Sequence, residues 1–131
     1  MIKRIPLVTF LALVLSVGAT TVSAQWKDLG SREVKQGVEE DTWRLNSFQG
    51  QFRKIKLTVT HNKVKFLRLE IEYKNGETDR VEIKKIVNAG GSTRVIDLRG
   101  DDRYLSRVNV WYEAVKSKND DRPRVTLWGF K

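Results

Sequence analysis

Cysteine is absent from this chain, and histidine occurs once. Without a thiol there is no cysteine nucleophile and no disulfide to staple a small exported domain. A lipid anchor attached to cysteine is excluded for the same reason. One imidazole and no thiolate are too few soft ligands for a transition-metal centre. The single histidine, His61, stands beside Asn62 in a turn pattern, where polarity accounts for it more simply than catalysis does. No nucleophile-elbow pattern accompanies it, so a serine triad has no motif to rest on. Long helical periodicity is missing, as are internal repeats, linkers and low-complexity tracts. The inventory predicts a protein that is not an enzyme and calls for no cofactor and no metal.

The chain does have an amino-terminal address. In MIKRIPLVTFLALVLSVGATTVSAQW, Lys3 and Arg4 precede an apolar run from Ile5 to Val17, and Val22-Ser23-Ala24 offers small residues for cleavage. This is the layout of a secretory signal peptide. The apolar run of 13 residues falls short of the roughly 20 a spanning helix needs. The expected division is therefore a signal peptide over 1–24 and one domain over 25–131, exported to the periplasm or beyond. Its 107 residues can hold one core. Setting aside Lys3 and Arg4 leaves 23 basic against 16 acidic residues, a formal net charge of +7. A basic exported protein meets anionic partners, such as acidic polysaccharide or a lipid surface. The basic residues are spread along the chain, and no specific nucleic-acid motif is present.

What the domain has in quantity is alternation. Ile55, Leu57 and Val59 alternate with Lys54, Lys56 and Thr58. Val81 and Ile83 alternate with Arg80, Glu82 and Lys84, and Val108, Val110 and Tyr112 with Arg107, Asn109 and Trp111. A period of two marks half-buried antiparallel strands. Turn residues separate them, most clearly Asn75-Gly76, which suits a two-residue type I′ turn. About eight strands are predicted, near 26–34, 41–46, 52–60, 63–74, 78–87, 93–99, 104–116 and 123–130. The fourth changes phase between Phe66 and Leu67, as a β-bulge would make it do. The expected fold is all-β, a single antiparallel β-sandwich of jelly-roll-like form, with a barrel as second choice.

The signal peptide, FRKIKLTV, IEYKNGE, NAGGSTRVIDLRG and the closing VTLWG together resemble a group of small exported bacterial β-proteins catalogued as domains of unknown function. The resemblance implies an all-β fold and a place in the bacterial envelope. It carries no activity and no functional residue.

Several stretches invite a functional reading. AGGSTRVIDLRGDD, from Ala89 to Asp102, has the glycines of an anion cradle and the Arg99-Gly100-Asp101 tripeptide of adhesion motifs. A phosphate loop normally runs from a strand into a helix, and Thr93 to Arg99 alternates like a strand, so Gly90 and Gly91 read as positive-φ turn residues. Asp97 is expected to face Arg107 across the Gly100–Arg103 turn, with Ile96 opposite Val108. The acidic clusters Glu39-Glu40-Asp41, Asp101-Asp102 and Asp120-Asp121 read as solvated loop charge, and none has the spacing of a calcium loop.

The four tryptophans are the better lead. Trp43 shares the phase of Leu45 and reads as core, and Trp26 as a seal on one end of the sandwich. Trp128 and Phe130 oppose Val125 and Leu127 in phase, as if both faces of the last strand were covered. Trp111 falls on the outward face of its strand with Arg107 and Asn109. An exposed ring beside Arg and Asn suits a sugar, with cover by a loop or by the N-terminal strand as the competing account. The expected function is non-catalytic binding of an anionic or glycan envelope ligand through Arg107, Asn109 and Trp111. The alternative is a structural or accessory envelope protein that binds another protein, through strand addition at an open sheet edge.

Overall fold

A computed structural model of the chain describes residues 25–118 and 120–131. The expected signal peptide, residues 1–24, lies outside the described residues. The alternating stretches form eight strands: β1 Trp26–Glu33, β2 Val38–Arg44, β3 Lys54–Thr60, β4 Val64–Tyr73, β5 Thr78–Val87, β6 Ile96–Asp97, β7 Leu105–Ala114 and β8 Arg124–Phe130. A single 3₁₀ turn, Ser47–Gln49, is the only helical element among the described residues.

The strands make two antiparallel four-stranded sheets, ordered β1-β8-β3-β6 and β2-β7-β4-β5. Each of the pairs 1–8, 2–7, 3–6 and 4–5 is adjacent, as if one long hairpin with its tip between β4 and β5 had been rolled up. Contacts of β3 with β8 and of β4 with β7 fix the roll. This is jelly-roll order, and the expected sandwich is what forms; the barrel does not, because each sheet keeps two edges. Inward residues of both sheets, among them Phe52, Leu57, Phe66, Ile71, Val108 and Leu127, fill the core between them. Burying each such chain contributes about 1.5–3 kcal/mol.

The phase change in β4 is a bulge: register slips between Phe66 and Arg68 against both β5 and β7. The β4–β5 turn differs from expectation. Only Gly76 of the Asn75-Gly76 pair has a positive φ, and Gly76 N–H donates to the Tyr73 carbonyl at 2.9 Å. That gives a three-residue loop with glycine in the left-handed position in place of type I′.

The sixth strand is shorter than its alternation suggests. Residues 90–98 run along β3 as an irregular edge. Thr93 N–H donates to the Leu57 carbonyl at 2.8 Å, but Leu57 N–H donates back to the Thr93 hydroxyl at 3.1 Å, so a side chain stands in for a ladder carbonyl. Thr93 is buried, 4% exposed. Thr93→Val is expected to orphan the Leu57 N–H and cost about 1–3 kcal/mol, read as a lowered urea midpoint with an unchanged slope. Thr93→Ser keeps the hydroxyl and should lose far less.

Two further expectations are corrected. Asp97 does not face Arg107. β6 pairs with β3, which aligns Asp97 with Lys54, whereas Arg107 lies in the other sheet and pairs with Glu72 at 2.9 Å. The chain after Arg99 crosses between sheets instead of turning back on itself, held where Phe52 and Arg103 exchange backbone hydrogen bonds at 2.9 and 2.8 Å. The Glu39-Glu40-Asp41 cluster is not loop but part of β2. Alternation turns Glu39 and Asp41 toward the space between the sheets, where Asp41 accepts the Tyr112 hydroxyl and Glu39 accepts Lys35 N–H at 3.1 Å.

Candidate functional site

The glycine-rich stretch is committed to structure. Gly90, at φ 89°, donates its N–H to the Val59 carbonyl at 2.8 Å, and Gly91 donates to Asn88 at 2.9 Å, so neither faces an anion. Arg94 donates to the Glu82 carbonyl at 3.0 Å and Arg99 to the Thr78 carbonyl at 3.1 Å, which caps two carbonyls of the β5 edge. Arg99 also grips the Asp79 carboxylate and lies 3.7 Å from Glu77. Arg103 donates to Glu77 at 2.6 Å with its guanidinium 4.0 Å over the Tyr73 ring. The Tyr73 hydroxyl donates to Asp79 at 2.8 Å and accepts Arg99 N–H at 3.2 Å. Arg99 holds the Asp79 carboxyl below its usual range, Asn75 and then Arg103 do so for Glu77, and burial with the Asp79 bond pushes Tyr73 up to about 12. With Arg99 in this lock, the Arg99-Gly100-Asp101 tripeptide does not present its guanidinium for adhesion.

Arg107, Asn109 and Trp111 do come together, as one outward column of β7 in the centre of its sheet. Each is already engaged by a neighbouring strand. Arg107 pairs with Glu72, the Asn109 side-chain oxygen accepts the Thr42 hydroxyl at 2.7 Å, and the Arg68 guanidinium stacks 4.1 Å over the Trp111 ring. What half-buries Trp111 is thus the Arg68 side chain. The surrounding face is not basic: Glu40, Glu70, Glu72, Glu82 and Glu113 alternate with Arg44, Lys65, Arg68, Arg80 and Arg107.

The outer face of the other sheet carries a row that sequence reasoning dispersed. Trp26 does not seal an end; it pairs across the ladder with Phe130, edge to face, with ring centroids 5.1 Å apart. Trp128 lies two residues along the same strand and donates its indole N–H to the Thr58 hydroxyl at 2.8 Å. From β3, the Lys56 ammonium reaches to 4.2 Å from the Trp26 ring centre and Lys54 to 5.3 Å from Phe130. All three aromatic side chains are partly buried and keep an outward surface, because a two-sheet sandwich puts no third layer over this face. The result is a row of three aromatic side chains with two cations on it, held on three adjacent strands. The signal in the sequence was the opposed phase of Trp128 and Phe130.

A family model described as a domain of unknown function, DUF2541, matches residues 7–129. The chain belongs to this family. No curated protein matches it. Among solved structures it is similar to a chain from the structural and functional characterization of Pseudomonas aeruginosa AlgX, with 24% identity and a TM-score of 0.46, over 77% of this chain and 26% of that one.

In this DUF2541 domain the remaining polar concentration lies where the β3–β4 turn meets residues 120–124. A recess of about 470 Å³ is lined by Glu33, His61, Asp120, Asp121, Arg122 and Arg124, beside a second of about 640 Å³ between residues 34–37 and residues 113–117 and 120–123. The only histidine and three carboxylates therefore share one end of the domain. All six lining side chains are exposed, and Arg122 pairs with Glu33 at 3.1 Å. Among the described residues, no group of three His, Asp or Glu side chains is placed to hold a metal.

Proposed function

We propose that this chain is an exported, non-catalytic binding domain for an anionic glycan of the cell envelope, taken up on the outer face of the β1-β8-β3-β6 sheet. The observation that carries the reading is the strip of Trp26, Phe130 and Trp128 with the Lys54 and Lys56 ammonium groups over its rings. Flat aromatic faces pack against the C–H faces of sugar rings, and lysines answer carboxylate or sulfate substituents. The Trp111 column is less suited to an anion, because Glu72 already pairs with Arg107 and Glu40, Glu70 and Glu113 share its face.

Strand addition by a protein partner finds each edge obstructed. β1 carries a register slip between Asp28 and Ser31, β2 turns two carboxylates inward, β6 is two residues long, and β5 has capped carbonyls and a positive φ at Lys84.

Tryptophan fluorescence of residues 25–131, titrated with acidic and neutral oligosaccharides at low and high salt, tests the proposal. Wild type should bind the acidic series, weaken as salt rises, and lose about tenfold or more in affinity on Trp128→Ala. Trp111→Ala should bind as wild type does. Loss confined to Trp111→Ala would move the site to the other sheet, and an absence of binding across the series would defeat the reading.

A further inference from the structure

Phe48 is 97% exposed, the most exposed large apolar side chain among the described residues. Its turn is rigidly held. Asn46 accepts Phe48 N–H at 3.0 Å, Gln49 accepts Asn46 N–H at 2.8 Å, and Gly50 donates to Ser47 at 3.1 Å. The Lys27 ammonium pins the turn to β1 through the Gln49 carbonyl at 3.4 Å. A phenylalanine held outward by this many bonds is displayed, and burying it would release unfavourable contact with water.

Two ammonium groups border the turn. Lys27 borders the turn on one side. On the other lies Lys131, whose ammonium would be 2.6 Å from a Cβ placed on Gly50. Arg53 and Lys54 follow, partly offset by Asp102 at 3.8 Å from Arg53 and by Asp97 aligned with Lys54. Trp26 and Phe130 lie at this same end, since Lys131 N–H donates to the Gln25 carbonyl at 3.3 Å and Arg53 N–H to Phe130 at 2.8 Å.

We infer that this end of the sandwich docks on an anionic lipid bilayer, with the Phe48 ring entering the headgroup boundary and Lys27 and Lys131 meeting lipid phosphates. A protruding apolar ring flanked by lysines fits a soft, negatively charged interface, into which the ring can sink while the ammonium groups stay at headgroup level. Aromatic side chains such as Trp26 favour that same interfacial depth. The inference rests on the exported, anion-binding reading above. It adds a second contact, so that the glycan strip would lie beside the membrane.

All eight strands and the core lie within residues 26–130, so a chain from Gln25 carries the whole sandwich. Co-sedimentation of residues 25–131 with vesicles of phosphatidylglycerol and phosphatidylcholine, against phosphatidylcholine alone, is the test. Binding should require phosphatidylglycerol and fall with salt. Phe48→Ala should weaken it about tenfold or more, Phe48→Trp should restore it, and Lys27→Gln or Lys131→Gln should each weaken it about fivefold. Trp128→Ala should leave it unchanged. If wild type ignores anionic vesicles, or Phe48→Ala binds them as wild type does, the inference is wrong. An acidic oligosaccharide that still binds in that case leaves the glycan reading intact.

Discussion

Gly129→Val is expected to destabilise the domain by about 3 kcal/mol or more, and Gly129→Ala by about 1–3 kcal/mol. Glycine in a central strand normally weakens a sheet, through backbone entropy and a missing side chain. Here it makes room. Gly129 lies in β8 between Ile55 of β3 and Lys27 of β1, on the inner face. A Cβ at this position would lie 2.5 and 2.8 Å from two ring carbons of Phe52 and 3.0 Å from a methyl of Leu29. The ring has little room to retreat. Phe52 is 1% exposed, and its backbone exchanges two hydrogen bonds with Arg103. Urea unfolding should show a lower midpoint with unchanged slope. Phe52→Leu in the Gly129→Ala background should recover part of the loss, because the two side chains compete for one volume. Additive costs in that cycle would mean the Phe52 ring does not occupy the space opposite Gly129.

The same neighbourhood illustrates what the amino-acid pattern can and cannot convey. Period-two alternation is local, set by the pleat of a single strand. It therefore located the inward faces of β3, β7 and β8, and the slip at Phe66. It also put Ile96 and Leu98 inside and Asp97 and Arg99 outside, as found. Alternation does not say which sheet a strand joins. That is why Asp97 was matched to Arg107 when its neighbour is Lys54, 43 positions earlier in the chain. Composition misled at Glu39 to Asp41, where acidic residues read as loop. An edge strand holds these inward carboxylates with the Tyr112 hydroxyl on Asp41 and the Lys35 N–H on one oxygen of Glu39.

The two candidate surfaces follow the same logic. Trp111 and Trp128 both lie outward, a property of phase, and the sequence displayed both. Whether an outward tryptophan is engaged depends on its cross-strand neighbours. Register places Arg68 on Trp111, and it gathers Trp26, Phe130 and Lys56 near Trp128. Residues from 26 to 130 meet there only because the jelly roll brings β1, β8 and β3 side by side.

Trp43→Ala is expected to cost about 3–5 kcal/mol, the largest loss from truncating any single side chain here. Trp43 is the largest fully buried side chain, 1% exposed, and lies in β2, an edge of its sheet. Its indole N–H donates at 2.8 Å to the carbonyl of Gly30, within the irregular stretch of β1. The Arg32 guanidinium lies 5.0 Å from its ring centre and donates onward to the Thr42 carbonyl at 3.1 Å. One side chain therefore ties the edge of one sheet to the edge of the other, where few other β1–β2 contacts exist. Trp43→Phe separates the two contributions. It keeps most of the packing and removes the indole donor, so it should cost about 1–3 kcal/mol. Comparable losses for Phe and Ala would assign the hydrogen bond to Gly30 the larger role. A small loss for both would mean that β1 and β2 are held together by something other than this ring. Thermal unfolding followed by circular dichroism reads all three proteins on one scale. On the proposed reading the aromatic row should respond in parallel, since β1 carries Trp26: loosening the β1–β2 edge should weaken acidic oligosaccharide binding in Trp43→Ala while leaving the Trp128 contact with Thr58 in place.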